Sequence, residues 1–256
     1  MIVIKTKNEL ALMREAGRIV AVLLVELKEQ IKPGVTTAQL DRTAEKVLKQ
    51  HNAASPFYNY PNHNKSHRPF PGHICTSVND ELVHGIPSNK RVLKAGDIIK
   101  IDCGAVYKGM IGDSAWTFAV GKINDDARKL LEVTEGALYA SIAAAKAGNR
   151  SGDMSNALQH YVEERGFNVV REYTSHGVGR YLHEDPSVPN FGEAGKGAKL
   201  KAGMTIAVEP MVLAGSYKTK EIGDQWTVVA KDGKLTAHFE HTIAITEGEA
   251  EILTKL

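Results

Sequence analysis

The sequence predicts an α+β fold made of two similar halves, in which antiparallel sheets are flanked by outer helices. One observation is a repeat. Leu-Lys-Ala-Gly occurs at residues 93–96 and 200–203, and an acidic residue, Asp102 or Glu209, follows each glycine after six positions. The second observation is the order of the patterns, because two helical segments precede a strand-rich segment twice along the chain.

Capping signals place the helices of the first half. Thr6 and Glu9 form a capping box at the start of the first helix, and Pro33-Gly34 ends it. The second helix begins at Thr36 or Thr37, and strand-like sequence follows it.

The second half repeats this order. Asn124 caps the third helix, which ends near Gly148, and the fourth helix is predicted from Asp153 to Arg165. Strands again fill most of the remaining chain. Because no linker separates the halves, we predict one domain over residues 1–256, with halves of about 1–121 and 122–256.

Composition excludes several classes of protein. The net charge of +2 is small and the basic residues are dispersed, so no nucleic-acid partner is predicted. Two cysteines, Cys75 and Cys103, are too few for a disulfide framework and are typical of a reducing compartment. The N-terminus lacks a signal-peptide pattern, and the longest apolar run, Ile19 to Val25, is too short to span a bilayer. We therefore expect a soluble, cytoplasmic protein with no membrane partner.

Asp102 and Asp113 are the sharpest local signal of a functional site. Their flanking segments are strand-like, and Lys108-Gly109 offers a turn between them. Because the midpoint of the pair falls between Tyr107 and Lys108, we predict that the two residues face each other, with Cβ atoms about 5 Å apart. Such charges repel unless a cation or a shared proton intervenes. The alternatives to a metal are exposure of one or both residues, or a bulge that shifts the register.

Two glutamates extend the case for a metal. Glu209 ends an apolar run and is predicted to be buried. Glu240 lies in a predicted last hairpin, formed by Trp226 to Ala230 and Thr236 to Thr246 and turned at Asp232-Gly233. A buried ionised carboxylate needs a cation or hydrogen-bond donors. For either glutamate alone, an Arg or Lys partner is the alternative.

Three histidines complete the set. His84 and His176 each begin a His-Gly-aliphatic triplet, and His183 follows His176 after seven residues. A single such histidine is more often an ordinary polar residue than a ligand. Four carboxylates and three histidines on a duplicated chain nevertheless favour a metal site, and oxygen ligands with one imidazole suit Mn, Fe, Co or Zn.

These residues lie in specific segments that run in order along nearly the whole chain. The segments are 74–81, 83–87, Ile101-Asp102, Gly112-Asp113, 176–180, His183-Glu184, 208–211 and 239–242. Together they resemble type I methionine aminopeptidases. The resemblance implies the duplicated pita-bread (creatinase/aminopeptidase) fold and removal of the initiator methionine from new proteins, with preference for a small second residue. It also implies two divalent metal ions as cofactors, for which Co, Mn, Fe(II) and Zn are the candidates.

The resemblance implies roles for single residues. Its metal ligands correspond to Asp102, Asp113, His176, Glu209 and Glu240, with Asp113 and Glu240 as bridges. Glu209 would also move the proton of the attacking water, while His84 and His183 would contact the substrate and donate hydrogen bonds to it. The methionine pocket corresponds to Cys75, Trp226 and an aromatic residue from Phe57, Tyr60 or Phe70, of which we choose Phe70.

One segment departs from the family pattern, and two other classes of protein stay open. Residues 58–68 form a longer polar stretch before Pro71-Gly72, which we predict to be a solvated loop. Aminopeptidase P and prolidase use a similar ligand set but usually carry an additional N-terminal domain, and a non-catalytic relative would lack ligands. As partners we expect N-terminal peptides of nascent proteins at the ribosome, and we expect the enzyme to be a monomer.

Overall fold

Four helices lie outside antiparallel sheets, which confirms the predicted α+β class. The computed structural model describes residues 1–256. The helices are α1 (Lys7–Gln30), α2 (Thr37–Gln50), α3 (Asp125–Ala144) and α4 (Ser151–Glu163). The strands are β1 (Cys75–Val78), β2 (Glu81–Val83), β3 (Ile98–Tyr107), β4 (Met110–Ala119), β5 (Asn168–Val169), β6 (Thr174–Gly177), β7 (Glu184–Pro189), β8 (Thr205–Val208), β9 (Met211–Leu213), β10 (Thr219–Glu221), β11 (Val228–Ala230), β12 (Thr236–His238), β13 (His241–Ala244) and β14 (Glu251–Ile252). No helix has the length and apolar character needed to cross a bilayer.

The predicted helix starts are confirmed for three helices. Side chains of Thr6, Thr36 and Asn124 accept backbone N–H groups at the starts of α1, α2 and α3. The predicted start of α4 at Asp153 is wrong by two residues. Asp153 instead lies in the first turn and accepts the Arg150 N–H at 2.7 Å, which places the cap before the helix.

The sheets repeat a three-strand unit. The first half contains the order β1-β3-β4, and the second half contains β6-β8-β13 within a five-stranded sheet. Helices α1 and α2 pack their apolar faces against the first unit, and α3 and α4 pack theirs against the second. Two further three-stranded sheets, β10-β11-β2 and β12-β9-β5, bring the number of sheets to four.

The register of the β3–β4 hairpin corrects one prediction. Tyr107 pairs with Met110, so Asp102 lies opposite Ala115 and Asp113 lies opposite Gly104. The two aspartates are therefore diagonal neighbours on one face, and the predicted direct pairing is wrong. The predicted turn residues are confirmed, because Lys108 and Gly109 both adopt positive φ, at 47° and 82°, as a two-residue hairpin turn requires. The centre of the hairpin therefore lies between them, one residue after the midpoint of the Asp102–Asp113 pair.

The predicted last hairpin is also wrong. Strand β11 pairs with β10 and β2, whereas β12 pairs with β9, so the turn at residues 232–233 joins two different sheets. Glu240 lies in a two-residue break between β12 and β13 rather than inside a strand. In this break the Glu240 N–H donates to the Ala115 carbonyl at 2.7 Å, which joins the second half to β4 of the first.

Hydroxyl groups extend this junction between the halves. Thr242 Oγ1 accepts the Asp113 N–H at 2.9 Å and donates to the Asp113 carbonyl at 2.8 Å. Thr117 Oγ1 donates to the His238 carbonyl at 2.7 Å and accepts the His238 N–H at 3.0 Å. The candidate site lies beside this junction, so its residues are held by backbone contacts between both halves.

Candidate metal centre and adjoining cavity

The five predicted ligands are brought together from both halves. Asp102 lies on β3 and Asp113 on β4, His176 lies on β6, Glu209 directly follows β8, and Glu240 directly precedes β13. All five line a cavity of about 810 Å³, as do His84 and His183.

The surroundings of the buried carboxylate oxygens fit a bound cation. Ligand atoms of Asp113, His176 and Glu240 lie within 4.8 Å of one another. One carboxylate oxygen each of Asp102, Asp113 and Glu240 is buried without any hydrogen-bond partner. Buried polar atoms without partners are costly, and a divalent ion would satisfy all three. The oxygen-rich donor set with one imidazole is the chemistry that Mn, Fe, Co or Zn accept.

His176 is oriented as a metal ligand would be. Its Nδ1 lies 2.9 Å from the Gly177 carbonyl and therefore carries the proton, which leaves the Nε2 lone pair facing the carboxylates. Nε2 lies 3.5 Å from Oε1 of Glu209. Burial lowers the pKa of His176 to about 3, so the ring is neutral near pH 7, as metal binding requires.

Burial raises the pKa values of all four carboxyl groups at the site. Burial raises the pKa of Asp102 to about 7. Burial, followed by the charges of neighbouring carboxylates, raises the pKa of Asp113 and of Glu240 well above the ordinary range. Burial also raises the pKa of Glu209 strongly. The cluster cannot hold its full negative charge alone, and a bound dication would reverse these shifts.

The two His-Gly pairs depend on glycine for close packing. A Cβ at Gly85 would collide with the Thr76 carbonyl, and one at Gly177 with the Asp185 carbonyl. His84 itself has a φ of 59°, in the left-handed region, directly after β2. Burial lowers the pKa of His84 to about 4, and the charge of His183 acts in the same direction.

The true counterpart of His84 is His183, not His176. Cys75 pairs with Asp102, and continuing the β6–β8 register places Thr174 opposite Glu209. His84 lies nine residues after Cys75, and His183 lies nine residues after Thr174. The two His-Gly triplets are therefore not equivalent in the fold, because His176 lies inside a strand whereas His84 follows one.

One part of the cavity is lined by a thiol and aromatic rings, whereas Glu172, Arg180 and Asp185 are among the polar residues that line another part. Cys75, Trp226 and all three candidate aromatic residues, Phe57, Tyr60 and Phe70, line it. The Phe70 and Trp226 rings meet edge to face with centroids 5.2 Å apart. Burial raises the pKa of Cys75 well above its ordinary value, so this residue contributes a neutral thiol. Such a surface suits an unbranched, polarizable side chain.

Sequence reasoning missed His238 as a residue of the site, and it missed the hydrogen bond made by a pocket candidate. His238 is buried, and its Nε2 lies 3.3 Å from Oε2 of Glu209. Its position two residues before Glu240 was an available signal, since alternate residues of an extended chain share a face. The pocket candidate is Tyr60, whose hydroxyl lies 2.7 Å from Nδ1 of His183. No spacing predicts that contact across 123 residues of chain.

Comparisons with known proteins identify a family and related chains. The model of metallopeptidase family M24 matches residues 11–247. Methionine aminopeptidase 1 of Bacillus subtilis (strain 168) is 56% identical over 256 residues, which is 100% of both chains. The crystal structure of methionine aminopeptidase from Thermotoga maritima matches with a TM-score of 0.96 and 44% identity, and 100% of each chain is covered.

A structure of lower sequence identity has a similar fold. Prolidase from Pyrococcus furiosus matches with a TM-score of 0.78 and 25% identity, and the match covers 99% of this chain but 65% of that one. The predicted pita-bread fold is confirmed by these matches. From the family match and the full-length relative, we conclude that the chain belongs to metallopeptidase family M24.

Proposed function

We propose that this protein is a metal-dependent methionine aminopeptidase that removes the initiator methionine from new proteins. The observation that carries the proposal is the convergence of Asp113, His176 and Glu240 ligand atoms within 4.8 Å, in a cavity that also contains the aromatic surface of Phe70 and Trp226. Its relatives from Bacillus subtilis and Thermotoga maritima are both named methionine aminopeptidases.

The cofactor in this proposal is a pair of divalent ions, Co, Mn, Fe(II) or Zn. Asp102, Asp113, His176, Glu209 and Glu240 would hold them, with Asp113 and Glu240 in contact with both. The unpartnered buried oxygens of three of these residues support the assignment. When bound, such ions polarise a carbonyl and lower the pKa of water.

The protein's own groups supply the proton transfers. Glu209 accepts the proton of the attacking water and passes it to the leaving amine. The neighbouring imidazoles of His176 and His238, at 3.5 and 3.3 Å, restrict the orientation of its two oxygens. His84 and His183 donate hydrogen bonds to the developing oxyanion or to the scissile amide.

The cavity walls determine which peptides are accepted. The methionine side chain occupies the surface formed by Cys75, Phe70 and Trp226. A small second residue fits beside the carboxylates, whereas a bulky one collides with a densely packed wall that cannot relax. We therefore include a preference for Met-Ala, Met-Gly and Met-Ser sequences in the proposal.

Metal dependence is tested by stripping and reloading the protein. Chelator-treated protein, with metal loss verified by elemental analysis, should lose hydrolysis of Met-Ala-Ser and regain it with Co, Mn or Fe(II). Full activity of verified metal-free protein would refute the proposal.

Substrate class is tested with a matched peptide panel. Met-Ala-Ser should be cleaved far faster than Met-Lys-Ser, and Ala-Pro-Ser should not be cleaved. Preferential cleavage of Ala-Pro-Ser would favour a prolidase-like activity, which the fold match to prolidase makes the relevant alternative. Equal kcat/KM for Met-Ala-Ser and Met-Lys-Ser would rule out the small-neighbour preference.

The organisation and setting of the enzyme belong to the same proposal. We infer one catalytic domain over residues 1–256, with halves of about 1–121 and 122–256, since both halves contribute to the cavity wall. We also infer a monomer that acts in the cytoplasm on nascent chains at the ribosome. Light scattering of the purified protein would test the monomer.

A further inference from the structure

The contact between Tyr60 and His183 joins a loop to the candidate catalytic wall. The Tyr60 hydroxyl lies 2.7 Å from Nδ1 of His183, and the two rings meet edge to face at 5.5 Å. Both residues line the cavity. His183 Nε2, on the other side of the ring, has no hydrogen-bond partner in the protein.

Backbone contacts hold Tyr60 in place. Its N–H donates to the Phe57 carbonyl at 2.8 Å, and its carbonyl accepts the Phe70 N–H at 2.9 Å. The polar segment 61–68 that follows is joined to the loop carrying Trp226. Asn62 donates to the Gln225 carbonyl at 2.8 Å, and the Trp226 indole N–H donates to the Arg68 carbonyl at 2.9 Å.

The backbone next to His183 is held independently. Glu184 forms a buried ion pair with Lys5 at 2.6 Å and accepts the Arg180 N–H at 2.8 Å. The ring of His183 lies edge to face against His176, with centroids 4.4 Å apart. These contacts hold the backbone beside His183 and one side of its ring. The question that is left is which ring nitrogen carries the proton.

Hydrogen-bond chemistry decides that position. A neutral imidazole carries one N–H, and the partner of one nitrogen determines which nitrogen keeps the proton. Tyr60 makes no other hydrogen bond with its hydroxyl, and imidazole nitrogen is a better acceptor than a phenol oxygen. The phenol therefore donates to Nδ1, and the proton of the ring stays on Nε2.

We propose that Tyr60 is a positioning residue that fixes His183 as the Nε2–H tautomer and aims this N–H at the substrate. Without the phenol the ring distributes its proton between both nitrogens, and part of the enzyme then presents a lone pair where a donor is needed. The inference rests on the proposed aminopeptidase function for its kinetic consequence, but the tautomer itself does not depend on that function.

The kinetic experiment uses Tyr60→Phe, which removes one oxygen atom. With Met-Ala-Ser and metal-loaded protein, we expect kcat to fall by about tenfold, less than the ~10²-fold typical of losing a donor outright, while KM changes by less than about twofold. Tyr58→Phe is the matched control. Tyr58 lies on the same loop, its ring stacks on His73 at 4.6 Å, and its hydroxyl has no hydrogen-bond partner, so kcat should not change. In a His183→Ala background, Tyr60→Phe should cause no further loss.

A spectroscopic experiment determines the tautomer of His183 directly. Zinc-loaded, ¹⁵N-histidine-labelled protein should show His183 protonated on Nε2, with the signal assigned by its absence in His183→Ala. Tyr60→Phe should give a mixture of tautomers, and Tyr58→Phe should give the wild-type spectrum.

Each outcome decides one claim. His183 protonated on Nδ1 in the wild type, an unchanged tautomer in Tyr60→Phe, or a changed tautomer with unchanged kcat would each overturn the role of Tyr60. If wild-type protein does not cleave Met-Ala-Ser, the proposed function fails, and the spectra still test the tautomer.

Discussion

The two halves deliver their carboxylates to the site in different ways. Asp102 and Asp113 lie inside the continuous ten-residue strands β3 and β4 and are diagonal neighbours. In the second half, His241 pairs with Val208, and Glu240 and Glu209 are the residues next to this last pair. Both glutamates lie in breaks just beyond the ends of four-residue strands.

This difference shows that repeated topology does not imply repeated geometry. In the first half a two-residue turn sets the register locally. In the second half, strands β9 to β12 separate β8 from β13, and contacts with β4 set the position of Glu240. The glutamate side chain is one methylene longer than aspartate, which allows carboxylates at the ends of short strands to reach the same centre.

The largest expected effect tests whether the aspartate pair of the first half and the glutamate pair of the second half are equally necessary for metal binding. Asp113→Ala and Glu240→Ala should each abolish tight binding of both ions. They should lower kcat/KM by more than the roughly 10²–10³-fold cost of losing one hydrogen-bond donor. Elemental analysis and Met-Ala-Ser hydrolysis measure the two effects. Asp125→Ala is the control, because that side chain is 99% exposed. Retention of both ions by Glu240→Ala alone would show that the pairs are not equivalent.

The second prediction compares the corresponding histidines of the two halves. His84→Ala and His183→Ala should each lower kcat/KM by roughly 10²-fold, the usual scale for a transition-state donor. Metal content should stay near that of the wild type, because neither residue is an assigned ligand. A metal-free His183→Ala protein would show that its assigned role is wrong.

The third prediction concerns the pH dependence of the metal-free fold. Burial raises the pKa of Asp102 to about 7, from 3.8. The folded state therefore keeps a proton that the unfolded state releases, and this stability is present below about pH 4 and lost as the pH rises through about 7. Asp102→Asn has no such loss. Its advantage in unfolding free energy over the wild type should grow by about 2–3 kcal/mol between about pH 5 and pH 8, at about 1.4 kcal/mol per pKa unit.

Urea titrations of chelator-treated protein measure this advantage. Burial lowers the pKa values of His84 and His176 in both proteins, so their contribution cancels in the comparison. Burial also lowers the pKa of His238 to about 4, although the charge of Asp102 acts to raise it, so the His238 ring is neutral in both proteins over this pH range. Burial also raises the pKa of Glu240, so the stability advantage of Glu240→Gln over the wild type should likewise grow as the pH rises. An advantage independent of pH for Asp102→Asn would contradict the assignment, and added zinc should reverse the order of stability.

The smallest expected effect concerns a lysine that ties the halves together. Lys100 on β3 is 1% exposed and donates to the Asn79 carbonyl at 2.6 Å and to the Thr236 carbonyl at 3.0 Å. Lys100→Met should lower the free energy of unfolding by about 1–3 kcal/mol, because it removes the lysine donor from the buried Thr236 carbonyl and from the Asn79 carbonyl, which keeps only its contacts with Thr236. Thermal or urea unfolding measures the loss. Lys94→Met, on the exposed surface, should have no measurable effect; an equal loss there would point to a general charge effect.

Several features of this protein followed from the sequence alone, because they depend on neighbours along the chain. Capping side chains act within three residues, so Thr6, Thr36 and Asn124 marked helix starts correctly. The Leu-Lys-Ala-Gly repeats marked the starts of β3 and β8, and the motif resemblance named five candidate ligands that the structure brings to one wall.

Other features were decided only by the tertiary structure. The turn at Lys108-Gly109 was predicted correctly but the Asp102–Asp113 pairing was not, since register depends on both φ values of the turn and on the pairing of the whole hairpin. The break at Glu240, the approach of His238 to Glu209 and the Tyr60–His183 hydrogen bond all join residues far apart in sequence. Such contacts form only when the halves and loops pack together, and local sequence patterns carry no information about that packing.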